Sequence, residues 1–230
     1  HYRQAIALDD TYLEAMLNAA EVYVHPLADF NEAIRLCELS LDLAETDDEV
    51  VDALLLMFDA LLGKGEVDRA TELSHRFPEG PFDNPQHTFL VGRALYEVGN
   101  LENASPLIEE SVKRSPKNAE AWYYLGLVRD ERGETSAATE AFLRSRDLDL
   151  TQPSAPPVLS REAFEITAKR ALAALSPMLR AYVREQEVYA ADAPGVEVVV
   201  DGVDPRALLL IDAVGNEGQP SSVSARVFVY

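Results

Sequence analysis

The sequence predicts a mainly α-helical protein, in which a solenoid of helix hairpins is followed by a small α+β domain. The solenoid is predicted by small and turn-forming residues that recur every 34 positions. The second domain is predicted by a proline-rich segment at 150–160, after which β-branched runs replace the helical pattern. The chain of 230 residues is long enough for both.

Glycine and alanine mark the 34-residue period most clearly. The period relates Gly65, Gly99 and Gly133, and also Ala70, Ala104 and Ala138. A glycine between two helices supplies a left-handed or tight turn, and an alanine early in the second helix lets its partner approach closely. Each helix pair has one apolar face that it cannot bury alone, so neighbouring pairs are expected to stack.

The unit 119–152 has the fullest pattern and resembles the tetratricopeptide repeat. Residues of that family's pattern occur here in order: Trp122, Leu125, Gly126, Ala138 and Phe142. Arg129 stands at the family's tyrosine position, and Pro153 comes slightly later than the family's final proline. The resemblance implies a tetratricopeptide (TPR) solenoid and covers roughly two-thirds of the chain.

The resemblance divides the solenoid, 1–152, into a partial repeat and four full ones. The full repeats are 14–47, 51–84, 85–118 and 119–152, and the partial repeat is 1–12. Tyr2, Ala5 and Ile6 match positions near the end of a repeat's second helix. We therefore expect residues 1–9 to be a helix whose partner lies upstream of the given chain.

Ligands of this family usually lie in a concave groove lined by the first helix of each repeat, and this expectation names the candidate binding residues. The partner-binding candidates are Asp52, Leu55, Asp59, Phe89, Arg93, Tyr96, Glu120, Tyr123 and Tyr124. Further groove-facing positions are Asn18, Val22, Leu56, Gln86, Leu90 and Leu127. Some family members clamp a peptide carboxylate with Lys, Asn and Arg, and that set is absent here.

An acidic and aromatic groove suits an apolar or basic helix, or an extended peptide, and the tyrosines would supply much of the contact. Two alternatives remain open at this stage. The C-terminal part of the chain covers the groove, or the tyrosines only pack between repeats.

The charge balance favours basic partners. The chain has 40 acidic and 20 basic residues, a net charge of −20, which repels phosphate backbones and argues against nucleic acid. Solubility alone is the other interpretation. No apolar stretch has the length of a membrane helix, so no membrane partner and a cytoplasmic location are expected. Cys37, the one cysteine, cannot form an internal disulfide and is typical of a small core residue.

The C-terminal residues, 160–230, predict two helices followed by two or three strands, after a linker at 153–159. Ser160 is a candidate N-cap for the first helix, and Ser176 with Pro177 begins the second, "SPMLRAYVREQ". The strand-like runs that follow are "VEVVV" (196–200), "ALLLIDAV" (207–214) and "ARVFVY" (225–230).

This order of elements also resembles the front half of the minimal zincin-like metallopeptidase domains. The match rests on Ala171, Leu172 and Leu175, on Ser176-Pro177 and on "DGVDPRALLLIDAV" before "ARVFVY". That family continues with a helix carrying H-E-x-x-H, which this chain lacks. The four histidines lie in the repeats at spacings unsuited to one metal site.

Three functional hypotheses follow. In the first, the chain is a protein–protein interaction scaffold that binds a partner segment in its groove. In the second, it is the substrate-recognition part of a peptidase-related protein whose zincin-like domain is degenerate. In the third, it self-associates or belongs to a larger assembly. We expect no catalytic residue, metal site or cofactor, and hence no enzyme activity.

Overall fold

The computed structural model describes residues 1–151, 160–180, 183–215 and 223–230. Within them the chain forms two compact units, His1–Arg132 and Gly133–Tyr230. We call these the repeat unit and the C-terminal unit.

The repeat unit is built from antiparallel helix pairs. Its helices are α1 (Tyr2–Leu8), α2 (Leu13–Val24), α3 (Phe30–Leu43), α4 (Asp47–Gly63), α5 (Val67–Ser74), α6 (Pro85–Glu97), α7 (Leu101–Arg114) and α8 (Ala119–Glu131). Three first helices pack on their own second helices, α2 on α3, α4 on α5 and α6 on α7, and first helices also pack on the first helix of the adjacent repeat, as α4 does on α6. This arrangement confirms the predicted solenoid of helix hairpins, and α1 lies within the stretch 1–9 that was expected to be helical.

Polar side chains fix where several helices begin. Thr46 and Glu49 form a reciprocal capping box at the start of α4, in which each side chain accepts a backbone N–H of the other residue. Asn84, Asn100 and Asn118 cap α6, α7 and α8 by accepting N–H bonds from the first turn. These caps satisfy donors that a helix start would otherwise leave unpaired.

The periodic glycines have the conformation that their spacing predicts. Gly65, Gly99 and Gly133 have φ angles of 75°, 78° and 73°, in the left-handed region that favours glycine. Gly92 serves a different purpose. A Cβ atom added to Gly92 would lie 3.1 Å from Leu107 Cβ and 3.1 Å from Ile108 Cγ1, so its absence lets α7 approach α6 closely.

The C-terminal unit combines helices with a small sheet. Its elements are α9 (Thr135–Thr151), α10 (Arg161–Ala173), α11 (Pro177–Arg180), β1 (Val183–Ala190), α12 (Val196–Val200), β2 (Leu209–Gly215) and β3 (Val223–Val229). The strand order is β1-β3-β2, with β1 parallel and β2 antiparallel to β3. Helix α10 packs on β1, and α12 packs on α9.

The prediction that 196–200 is strand-like was wrong, because "VEVVV" forms α12. This short helix begins after Gly195 and buries Val199, which is 2% exposed. Its packing on α9 outweighs the strand preference of valine, which is only about 1 kcal/mol.

The second predicted helix was right at its start and wrong in its length. The backbone N–H of Leu179 lies 3.4 Å from Ser176 Oγ, which caps α11, but α11 ends at Arg180. Residues Val183–Ala190 form β1, which pairs with the central strand β3. Since β3 can pair on both edges, a partner strand there satisfies backbone groups that a longer helix would leave unpaired.

The other elements of this part agree with the sequence. Ser160 caps α10 through a 3.2 Å bond from the backbone N–H of Ala163, and the last two strand-like runs form β2 and β3. The linker 153–159 lies outside the described residues, so the predicted domain boundary there stays a prediction. Helix α9 belongs to the C-terminal unit by its packing. Within this unit, Asp149 of α9 forms an ion pair with the Arg206 guanidinium at 3.0 Å.

Candidate binding groove

A groove of about 730 Å³ lies across the first helices of the repeat unit, on α2, α4 and α6. Its lining is Leu13, Glu14, Leu17, Asn18, Glu21, His25, Glu49, Asp52, Leu55, Leu56, Asp59, Leu90 and Arg93. Five of these side chains are carboxylates and five are leucines, so the groove is acidic as well as apolar. We call it the α2–α4–α6 groove.

The structure brings many of the predicted residues together here. Asn18, Asp52, Leu55, Leu56, Asp59, Leu90 and Arg93 all line the groove. The reason is the repeat geometry, because corresponding positions of successive first helices lie side by side when the hairpins stack.

Most of the groove residues that α2 and its C-terminal end contribute were not predicted from the sequence. Glu14, Leu17, Glu21 and His25 all line the groove, although only Asn18 and Val22 were named from this helix. Their spacing of three or four residues follows one face of a helix, and this signal was available in the sequence. Val22 is 38% exposed and is not among the lining residues.

Asp52 is held in place by a buried histidine of the next repeat. The Nε2 atom of His87 lies 2.8 Å from Asp52 Oδ1, and its Nδ1 atom lies 2.9 Å from Asp48 Oδ1. The His87 side chain is 5% exposed. Both ring nitrogens of His87 therefore face carboxylate oxygens of α4, and these contacts link α4 to α6.

Arg93 gathers carboxylates from three successive repeats. Its guanidinium lies 3.6 Å from Asp59, 3.5 Å from Glu97 and 3.5 Å from Glu120. Its Nε atom is buried and has no hydrogen-bond partner among the described residues, since the Glu97 contact is an ion pair without hydrogen-bond geometry. Arg93 is therefore surrounded by negative charge that belongs to the protein itself.

Beside Arg93, the predicted tyrosines form an aromatic cluster centred on Tyr124. The Tyr124 ring packs edge-on against Tyr96, Tyr123 and Phe89, with centroids 5.6, 5.9 and 5.8 Å away. The Tyr124 hydroxyl donates to Glu97 Oε1 at 2.9 Å. Burial, and then the charge of Glu97, raises the pKa of Tyr124 well above its usual range, and burial also raises the pKa of Tyr96.

Not every candidate offers surface to a ligand. Phe89 is 1% exposed and supports the Tyr124 ring from below, while Leu55 is 8% exposed at the groove floor. Tyr96, Tyr123 and Tyr124 are half-buried, and none of the three lines the α2–α4–α6 groove. The aromatic cluster and the acidic groove are thus neighbouring surfaces that meet at Arg93.

Burial also raises the pKa of Asp59 and of Cys37, which lie outside the aromatic cluster. It raises the pKa of Asp59, against the opposing charges of Arg93 and His25. It raises the pKa of the Cys37 thiol to about 12, which matches the predicted core position of this residue. A thiol of that kind is a poor nucleophile at neutral pH.

Two features of the described residues bear on other functions. No group of three or more His, Cys, Asp or Glu side chains in this part of the chain is placed to hold a metal ion. No helix among the same residues combines the length and the apolar character needed to cross a membrane.

Solved structures with a similar fold include the following two. One is described as the crystal structure of MamA, with a TM-score of 0.51 and 18% identity over 64% of this chain and 84% of that one. The other is described as YrrB, a TPR protein with an unusual peptide-binding site, with a TM-score of 0.52 and 15% identity over 65% and 75%. These identities establish the fold alone.

Among curated proteins, two peroxisomal proteins are similar over shorter stretches. The peroxisomal targeting signal 1 receptor of Dictyostelium discoideum is 34% identical over 79 residues, 33% of this chain and 12% of the receptor. Peroxisome biogenesis protein 5 of Arabidopsis thaliana is 27% identical over 105 residues, 45% of this chain and 14% of that protein. This chain therefore spans less than a sixth of either relative's length.

No family model matches the chain. The zincin-like resemblance of residues 160–230 receives no support from these relatives. The comparisons agree with the geometry on one point, which is that the helix hairpins form a TPR-type solenoid.

Proposed function

We propose that the chain is a protein–protein interaction scaffold that binds a segment of a partner protein in the α2–α4–α6 groove. The observation that carries the proposal is the groove itself, about 730 Å³ with leucines from three helices between carboxylates. Its volume lies within the range of ligand sites in proteins, roughly 300–1,000 Å³. The partner segment is basic or apolar, because the groove presents both kinds of surface to it.

Two comparisons support recognition of a segment rather than of a folded domain. The Dictyostelium relative is named as the receptor of a targeting signal, and the YrrB structure is described as having a peptide-binding site. The one arginine that lines the groove, Arg93, already faces three carboxylates, which disfavours an anionic peptide terminus. No observation favours the peptidase-related alternative.

The test is a selection of phage-displayed peptides on the intact chain, followed by affinity measurements on two variants. Leu56→Lys changes the groove, whereas Leu39→Lys changes an exposed leucine of α3 outside it. We expect the selected peptides to lose affinity for the first variant and to keep it for the second. Equal binding to both variants, or no selected peptide, would contradict the proposal.

A further inference from the structure

Three of the groove carboxylates are already engaged by the protein. Glu49 accepts the backbone N–H groups of Glu45 and Thr46 at 2.9 and 3.0 Å. Asp52 is bound by His87, and Asp59 lies beside Arg93. A carboxylate that already has a partner gains less from a ligand cation, because part of its charge is compensated.

Glu14 and Glu21 are different. Both are exposed, both line the groove from α2, and neither side chain has an ion pair or a hydrogen bond among the residues that the structure describes. They are seven residues apart and therefore lie on one face of the helix, two turns from each other. At 1.5 Å per residue their separation along the α2 axis is about 10.5 Å.

An apolar floor lies next to these two carboxylates. Leu17 comes between them on α2, and Leu55, Leu56 and Leu90 continue the lining onto α4 and α6. A ligand that reaches both carboxylates must therefore also place apolar atoms on the leucines. Lysine and arginine do both, since their aliphatic stems pack on apolar surface while their charged ends stay near water.

An extended ligand reaches both carboxylates with fewer residues than a helical one. A helix needs two basic residues seven positions apart to span about 10.5 Å. A polyproline-type extended segment is thinner, and it places residues three apart on the same side at a distance of about 9.3 Å.

We propose that Glu14 and Glu21 recognise two basic side chains, three positions apart, on an extended partner segment whose apolar residues lie on Leu17 and Leu56. This inference rests on the proposed function and adds the ligand's charge pattern and conformation. The flexible stem of lysine or arginine covers the small difference between the two spacings.

Four labelled synthetic peptides of leucine and alanine test the charge pattern by fluorescence anisotropy. The first carries two lysines three positions apart, the second carries adjacent lysines, and the third and fourth carry glutamine or glutamate in place of the separated lysines. We expect the first peptide to bind best and the glutamate peptide to bind worst. Added salt should weaken the binding of the first peptide and leave the binding of the glutamine peptide nearly unchanged.

The matched variants are Glu14→Gln with Glu21→Gln, and Glu38→Gln as a control on the exposed surface of α3. Exposed ion pairs contribute about 0.2–1 kcal/mol each, so the double variant should bind the first peptide roughly two- to thirtyfold more weakly. The control should bind it as the parent does. Circular dichroism confirms that each variant keeps its helix content.

The outcomes separate this inference from the proposed function. If the glutamine peptide binds as tightly as the first peptide, and Leu56→Lys weakens both, the groove binds a segment but charge recognition is wrong. If adjacent lysines bind equally well, the spacing of three is wrong. If no peptide distinguishes Leu56→Lys from Leu39→Lys, both the inference and the proposed function fail.

Discussion

The repeat unit and the C-terminal unit bury their side chains very differently. Phe58, Phe89 and Met16 of the repeat unit are each 1% exposed, and nearly every helix there contributes several buried residues. In the C-terminal unit, α10 and α11 bury no residue completely, while Leu208 and Ile211 are 78% and 60% exposed. Most of the densely packed core therefore lies in the repeat unit.

This difference shows what stacking of repeats achieves. Each helix pair of a solenoid has a neighbour that covers its apolar face, so burial repeats with the sequence period. A small sheet with one central strand has two edges and two faces, and each needs its own cover. The predictions that follow test this contrast, beginning with the largest expected effect.

Truncating a large core side chain of the repeat unit should cost far more than truncating an apolar side chain of the C-terminal sheet. Phe58→Ala should lower the free energy of unfolding by about 3–5 kcal/mol, because the cavity adds to the lost burial. Ile211→Ala should change it by less than about 0.5 kcal/mol, as expected for an exposed site.

Urea unfolding followed by the fluorescence of Trp122 measures this contrast. Trp122 is the one tryptophan of the chain and lies on α8, so the fluorescence signal reports on the repeat unit. Unfolding of the Ile211 variant should be followed also by far-ultraviolet circular dichroism, which includes the sheet. Similar losses in the two variants would mean that the two units do not differ in packing as described.

Two glycines of one repeat should respond to alanine for different reasons. Gly92→Ala places a methyl group against α7 and should cost about 1–3 kcal/mol, as overpacking does. Gly99→Ala meets no atom within 4 Å but must keep a φ of 78°, which costs about 1–2 kcal/mol.

A second substitution distinguishes these two causes by urea unfolding. Ile108→Ala, combined with Gly92→Ala, removes the Cγ1 atom that the new methyl group meets, so the two effects should be less than additive. Combined with Gly99→Ala, it should be additive. Additivity in both pairs would show that close packing of α6 and α7 is not the reason for Gly92.

Asp59→Asn should have the smallest effect on stability, and the size of this effect depends on pH. Burial raises its pKa above the unfolded value, so the ionised carboxylate costs stability above that pKa, and the cost disappears as the pH falls through it. Asp59→Asn should therefore raise the stability of the repeat unit by up to about 1 kcal/mol at neutral pH.

The same urea experiment across a pH series measures the effect, with Asp42→Asn as an exposed control on α3. The advantage of Asp59→Asn should shrink as the solution becomes acidic, whereas the control should show little change at any pH. A variant that is less stable than the parent at neutral pH would mean that the attraction of Arg93 outweighs burial at this site.

Local patterns were sufficient to predict most of the repeat unit. The 34-residue period located the turns at Gly65 and Gly99, and the alanines at the second-helix positions, Ala70 and Ala104, are fully buried. These predictions succeeded because each depends on residues close in sequence, on backbone conformation or on the room between two consecutive helices. The same logic placed Asp52, Asp59 and Arg93 on the groove side of their helices.

Contacts between distant residues determined the rest. Whether residues 183–190 form a strand depends on pairing with β3, more than thirty residues later, and the helix at 196–200 depends on packing against α9. Similarly, no local pattern shows that Phe89 is covered by Tyr124, or that His87 and Arg93 engage Asp52 and Asp59. Nor does it show that Glu14 and Glu21 have no ion pair within the described part of the chain. Periodicity identifies the face of a helix, but only the packed neighbours decide which side chains on that face remain available to a ligand.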